Sequence, residues 1–384
     1  MKILLIAPQP FYQDRGTPIA VRLLARTLGE QGHAVHLLVF HEGEDIAIPN
    51  VTIHRSAAVF GIKDIKSGLT LKKLVCDVFV AVKAIRLARA HRFDCLHAVE
   101  EGVFIAMMVN KLFAIPYVYD MDSLMSLQII EKFPSLRPLR CSMEWVEKKA
   151  VLSSNGVVAV CRALEDTARR YAPDKLIVRL EDISLVEGEA GEAEDLRQRL
   201  GIAGLMLMYV GNLEKYQGID LLLEGFRQAS GQQDNLNLVI IGGSQGDIEA
   251  YRQQAQRAGI ADRVFFCGPR PVEMLGSYLR QADILVSPRT QGNNTPMKIY
   301  SYLDSGRPVL ATKLATHTQV LDDTISYLVE PVTGAMAQGI LTLAGNAELR
   351  SRLGARARDR VRDEYSLPVF KKKVADFYRR LSIS

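Results

Sequence analysis

Short apolar runs alternate with longer segments of helical spacing along almost the whole chain. In the first half the runs are residues 3–7, 36–40, 95–98, 117–119 and 157–160. Runs of this kind, rich in Val, Ile and Leu, are strands buried on both faces, and their alternation with helices gives a parallel, doubly wound α/β sheet. A second series follows at residues 206–210, 238–241, 264–266, 284–287 and 309–311. Between the two series the pattern fades from about residue 181 to 200, where Glu187, Glu189, Glu192 and Glu194 stand among small residues, as in a linker with a short helix. The sequence therefore predicts two Rossmann-like domains, residues 1–182 and 183–365. A tail helix over 366–384, with Val369, Phe370, Val374, Phe377, Tyr378 and Leu381 on one face, is expected to return to the first. At 384 residues with 48% hydrophobic content, the chain has enough apolar material for two ordinary cores.

Residues 287–312 read as a polar loop, a bounded helix and a buried strand. Thr295 suits the N-cap, Pro296 the first helical position, and Gly306 with Pro308 the helix end. The N–H groups of that first turn, with the helix dipole behind them, favour a phosphate. A similar arrangement opens the chain, where a strand runs through Arg15-Gly16-Thr17-Pro18 into a helix carrying Val21, Leu24, Ala25 and Leu28. Ligands of open α/β sheets sit beyond the carboxyl ends of the strands, so both segments are expected to face one ligand between the halves.

Lys and Arg total 48 against 43 Asp and Glu, an excess too small to imply nucleic-acid binding. Cys76, Cys95, Cys141, Cys161 and Cys267 are scattered, without metal or disulfide spacing, which suits a reducing cytoplasm. The apolar run before Pro8 is too short for a signal sequence, and no uncharged stretch would span a bilayer, so any membrane contact is peripheral, on the inner face. Over residues 69–92, Leu71, Leu74, Val75, Val78, Val82 and Ile85 share a helical face, with Lys72, Lys73, Lys83, Arg86 and Arg89 around it. That face is assigned to the core; the alternative is a basic amphipathic helix on anionic lipid, with Lys63 and Lys66 upstream. His97, Glu100 and Glu101 follow a strand but lack further nearby ligands, so no metal is assigned to them. His33 and His36 are assigned structural roles, and His317 lies in a loop that could reach the ligand.

Several motifs occur in a fixed order: residues 211–220 (GNLEKYQGID) after a strand, Gly242-Gly243, Gly268-Pro269, and the 287–312 segment, preceded by the Arg15–Pro18 turn and Gly32-His33. With this set the chain resembles the retaining GT-B glycosyltransferases of family four over nearly its whole length. The resemblance implies two Rossmann-like domains facing across a cleft, the first acceptor-side and the second donor-binding. It also implies transfer of a sugar from a nucleotide-diphosphate donor to a glycan or lipid-linked acceptor, with retention and without metal or cofactor. By the same resemblance Gly16, beside Thr17, admits backbone to the phosphate. Asn293, Asn294, Thr295 and the N–H groups of Met297 and Lys298 bind phosphate and sugar, and Gly268 to Arg270 frame the base.

The sequence departs from the family at five positions. Asn212 and Gln217 replace the usual Arg and Lys of the phosphate motif, Asn293 and Ser301 replace two glutamates, and Asp122 stands for the usual histidine. A helix N-terminus alone supplies only about half an elementary charge, so other cations must serve a leaving diphosphate. Arg289 and Lys298, with Lys215 and Arg15, are the candidates. Asn293 and Thr295 would orient the donor and Asp122 would act near the acceptor, with His97, Glu100, Glu101 and Asp120 bordering that side. A nucleotide-sugar epimerase of the same architecture, or a binding protein with a degenerate site, are the other readings.

Overall fold

The computed structural model describes residues 1–13, 16–58, 65, 70–186, 193–292 and 294–381. Arg15, Lys63, Lys66, Glu187, Glu189, Glu192 and Asn293, all named above, lie outside these residues, as do residue 69 of the basic helical segment and residues 382–384 of the tail. The chain divides into two units, Met1–Glu181 with Phe370–Ser384, and Asp182–Val369.

The first unit holds strands β1 (Lys2–Ile6), β2 (Ala34–Val39), β3 (Val51–Arg55), β4 (Cys95–Val99), β5 (Tyr117–Met121), β6 (Gly156–Ala159) and β7 (Ile177–Arg179). All pair in parallel, in the order β3-β2-β1-β4-β5-β6-β7. The second unit holds β8 (Leu205–Val210), β9 (Leu236–Ile241), β10 (Val264–Gly268), β11 (Ile284–Ser287), β12 (Val309–Thr312) and β13 (Tyr327–Val329), again parallel, in the order β10-β9-β8-β11-β12-β13. The direction of winding reverses between β1 and β4 in one sheet and between β8 and β11 in the other. A crevice at such a reversal is where an open α/β sheet accepts a ligand, because the flanking loops diverge there. The central strands are apolar on both faces because helices cover both; Leu4, Leu96, Leu207 and Val286 are completely buried.

The Leu367–Arg380 helix enters the first unit at Phe370. Its Phe377 ring lies so close to β6 that a Cβ on Gly156 would stand 2.8 Å from it. Lys373 Nζ meets Glu181 at 2.6 Å and Lys371 Nζ meets Glu30 at 2.6 Å, which ties the helix to its neighbours at two points.

The Leu71–Ala90 helix corrects the core assignment made from its spacing. Thr70 caps it by accepting from the Lys73 N–H. Its inward stripe is Cys76, Val80, Ala84 and Leu87, whereas Leu74, Val75, Val78, Phe79 and Val82 face outward, Val78 at 61% exposure. Apolar residues occupy most of the circumference, so periodicity alone does not choose the stripe. The small residues Cys76 and Ala84 decide it, by letting the helix approach the sheet closely. Lys73, counted with the solvated rim, is instead buried and pairs with Glu101.

Candidate functional site

In the second unit the candidate site lies at the reversal point, where β8 ends at Val210 and β11 at Ser287. Gly211 turns the chain away with φ 149, in a region open mainly to glycine. A Cβ there would stand 3.0 Å from the Tyr209 hydroxyl and 3.2 Å from Lys298 Nζ. Gly218, at φ 77, lets the loop press on the Pro288 carbonyl, which a Cβ would meet at 2.0 Å.

Lys298 Nζ donates to Gln217 Oε1 at 3.1 Å and lies 3.9 Å from the centre of the Tyr209 ring. Arg289 donates through Nη1 to the Asn294 carbonyl at 3.1 Å and Thr316 Oγ1 at 3.2 Å, with its guanidinium 5.0 Å from the Tyr216 ring. Its Nε is buried and has no partner among the described residues. Neither cation has a carboxylate partner among those residues. Burial first, and then the charge of Arg289, holds the Lys298 ammonium well below the usual lysine range. Burial likewise lowers Arg289. The two desolvated cations repel each other and have no counter-ion among the described residues, an excess of charge that an anion would offset.

Below them, His317 is fully buried and neutral, its pKa lowered to about 4 chiefly by burial. It donates from Nδ1 to the Thr312 carbonyl at 2.8 Å and accepts from Ser287 Oγ at 2.9 Å. It is a strut under the strand ends rather than a loop residue reaching a ligand.

The helix reading of residues 295–306 needs correction. The α-helix is Lys298–Asp304, and Met297 precedes it without a side-chain cap. The turn before it is tighter, with Ile299 N–H bonded to the Pro296 carbonyl at 2.9 Å and Tyr300 N–H to Met297 at 3.2 Å. Thr295 does not cap; it is buried, and its Oγ1 has no partner among the described residues. The N–H groups of Met297 and Lys298 have no acceptor among those residues. A helix this short has a weak dipole, so the positive potential at its start comes mainly from Lys298 and Arg289.

Other residues assigned to the donor fall elsewhere. Ser301 is fully buried, and its Oγ accepts from the Leu185 N–H at 3.0 Å, so it anchors the start of the unit instead of facing a ligand. Lys215 is exposed, its carbonyl accepts from the Gly218 N–H at 3.0 Å, and its ammonium has no ion pair or hydrogen bond among the described residues, outside the cation pair. Asn212 is exposed, and its carbonyl accepts from the Tyr209 hydroxyl at 2.6 Å. Gly268 accepts from the Gly242 N–H at 2.8 Å, while Arg270 turns to Glu194 at 3.0 Å.

In the first unit, Gly16 opens the Gly16–Glu30 helix, is exposed, and would have nothing within 4 Å of a Cβ; Thr17 beside it is half-buried. His97 and Asp120, assigned to the acceptor side, bond to each other and to the tail helix. The Tyr378 hydroxyl donates to His97 Nδ1 at 2.7 Å, and His97 Nε2 donates to Asp120 Oδ2 at 3.0 Å, a buried clasp on the tail helix. Glu100 ends β4 in the left-handed region at φ 50, held by its N–H to the Asp120 carbonyl at 2.9 Å. Burial, and then the charge of Glu101, raises its carboxyl to about 7. Burial raises Asp77 to about 7 as well. Glu101 pairs with Lys73, and Asp122 lies half-buried just beyond β5. No group of His, Cys, Asp and Glu among the described residues has the geometry to hold a metal.

Sequence reading missed Tyr209, Tyr216 and Thr316. Their signal was position: an aromatic ring near a strand's carboxyl end, next to an unpaired cation, serves to shield it.

Residues 204–346 match the family model of glycosyl transferases group 1, and residues 15–179 match that of glycosyltransferase family 4. The D-inositol 3-phosphate glycosyltransferase of Corynebacterium efficiens is 27% identical over 67% of this chain and 64% of its own length, just under two thirds of that protein. The phosphatidyl-myo-inositol mannosyltransferase of Mycobacterium leprae is 24% identical over 100% of this chain and 98% of its own. HepE of Anabaena, solved in complex with UDP, superposes with a TM-score of 0.76 at 16% identity, covering 99% of this chain and 100% of that one, and so shares its fold.

Proposed function

This chain belongs to glycosyltransferase family four, with the GT-B fold, and we propose that the diphosphate of its nucleotide-sugar donor is held by Arg289 and Lys298 at the reversal point of the second sheet. The observation that carries the reading is the pair of half-buried cations without a carboxylate partner among the described residues. As the bond from the sugar to the diphosphate breaks, negative charge builds on the leaving oxygens, and donors fixed in a water-poor site stabilise it without reorganising. The N–H groups of Met297 and Lys298 add neutral donors, and Asn294 is assigned to the donor sugar. Transfer is assigned as retaining, after the family. On the first unit, Asp122 and Glu100 are the carboxylates assigned to the acceptor.

The test is a thermal-shift series with nucleoside diphosphates against monophosphates. A ligand at a hundred times its Kd stabilises by about 2.7 kcal/mol, and the diphosphates alone are expected to reach it. Equal shifts from both would remove the diphosphate assignment.

A lipid-linked acceptor has its own support. The outward face of the Leu71–Ala90 helix presents Leu74, Val78, Phe79 and Val82, with Lys72 and Arg86 exposed beside them. Trp145, 56% exposed on the Arg140–Ser153 helix, carries the Lys149 ammonium 3.8 Å from its ring. Apolar side chains rimmed by lysine and arginine suit a peripheral seat on anionic lipid, and the mycobacterial relative is named for a phosphatidyl-inositol acceptor. No described helix is long and apolar enough to cross a membrane. Co-flotation with vesicles containing phosphatidylglycerol, lost in Val78→Asp and retained in Val332→Asp, would support this seat; equal flotation of both variants would remove it.

A further inference from the structure

Two adjoining cavities, of about 480 and 490 Å³, open at the amino ends of the second unit's strands. Gly204, Asp283 and Pro308, which line them, directly precede β8, β11 and β12. Arg289 lies beyond the other end of β11, six residues on, or roughly 20 Å at about 3.3 Å per residue. A small ligand here does not touch the donor cations.

Arg280 and Arg307 line both cavities, and Arg350 and Arg358 from the Ala347–Glu364 helix line the second. None of the four has a carboxylate partner among the described residues. The nearby Asp283 is already engaged, by the Arg197 guanidinium and by the Met206 N–H at 2.8 Å. Three of the arginines have a structural duty, since they donate to the last carbonyls of helices. Arg307 reaches the Arg280 carbonyl, and Arg358 reaches those of Asp304 at 3.4 Å and Ser305 at 3.3 Å. Arg350 reaches Leu343 at 2.6 Å and Ala344 at 2.8 Å.

Capping does not account for the charge. Each helix end carries at most about half a negative elementary charge, less in the two short helices, so three ends offset no more than about one and a half of the four positive charges. Among the described residues Arg280 caps no helix, and the one hydrogen bond of its guanidinium is to Ser277 Oγ at 3.1 Å. An excess of at least about two and a half charges is gathered around a recess large enough for a chain of phosphates.

We propose that these cavities form a second anion site, distinct from the donor site, that binds a small ligand carrying two or more phosphate-type charges. Guanidinium groups suit this ligand because their planar forks match phosphate oxygens in pairs. The N–H groups left over from helix capping supply those forks.

Titration calorimetry with inorganic tripolyphosphate at low ionic strength tests the site on the full chain. Lys298→Met weakens donor-site binding by the loss of one charge-assisted contact, and a second binding phase is expected to keep its affinity in that variant. In the Lys298→Met background, Arg280→Gln, which removes no cap, should weaken it about tenfold, the effect of one charge-assisted contact. Ser351→Glu, at an exposed position lining the second cavity, should weaken it further by adding a carboxylate. The proposal is overturned if Lys298→Met alone abolishes tripolyphosphate binding, or if Arg280→Gln and Ser351→Glu leave the affinity of the second phase unchanged while both variants melt like the parent.

Discussion

Replacing Lys298 by methionine separates what this residue does for the fold from what it does for the ligand. Its contacts are one hydrogen bond to Gln217 and a position 3.9 Å over the Tyr209 ring. Methionine keeps the length and offers the ring a thioether, worth about 0.3–1.5 kcal/mol, in place of a cation–π contact of about 0.5–2 kcal/mol. It also removes a desolvated charge that Arg289 repels, so the two changes oppose each other. The free protein should melt within a few degrees of the parent, since about 1 kcal/mol moves a unit of this size by roughly 2–4 °C. Ligand binding has no such compensation. Losing one charge-assisted contact of about 1.5–3 kcal/mol weakens the diphosphate roughly tenfold to a hundredfold. At a ligand concentration a hundred times the parent's Kd, stabilisation of about 2.7 kcal/mol should fall to between about 1.4 and 0.4 kcal/mol. Differential scanning calorimetry with and without nucleoside diphosphate reads both quantities. A variant that keeps the full ligand-induced stabilisation would refute the placement of the diphosphate on Lys298.

Tyr378→Phe leaves His97 Nδ1 buried without its donor and should cost about 1–3 kcal/mol in urea unfolding of the first unit, with the second unit's melting unchanged. Ser301→Glu returns the family's usual residue to a position that is fully buried here; the unpaired carboxylate should destabilise by about 3 kcal/mol or more, seen as a lowered melting temperature, and should not improve donor affinity. Glu100 binds a proton more tightly in the folded chain, with its pKa raised from 4.5 to about 7. The folded state therefore holds more protons than the unfolded state across that window, so the contribution of Glu100 is full below about pH 4.5 and declines as pH rises through 7. Glu100→Gln should accordingly be more stable than the parent at pH 8, by up to about 3 kcal/mol, and no more stable at pH 4, as denaturant titrations at the two pH values would report.

The interior strands of both sheets were legible because burial on two faces demands continuous Val, Ile and Leu, as in residues 3–7 and 206–210. The strands not recognised, β3, β7 and β13, are the edges at which sheet order ends, where fewer positions need be apolar. Arg289 and Lys298 were legible as cations after a strand, but their partners were not, since Gln217 and Tyr209 lie some 80 residues away and meet Lys298 only through sheet order. The Thr-Pro pair misled, because Thr295 carries the composition of a cap while its side chain is buried in the loop before the turn. His97 and Asp120 misled for a related reason. A polar pair near a strand's carboxyl end resembles a reactive site, but here it is closed by Tyr378, 281 residues further on.

The return of Phe370–Ser384 to the first unit means that this unit is completed only by residues that follow the whole of Asp182–Val369 in the chain. A chain emerging from the ribosome can close Asp182–Val369 around its own sheet, while the half made earlier waits with an open seam along Gly156 and His97. N-terminal residues thus finish folding after those that follow them. Until Phe370–Ser384 arrives, the seam lacks the Phe377 ring against Gly156 and the Tyr378 hydroxyl on His97.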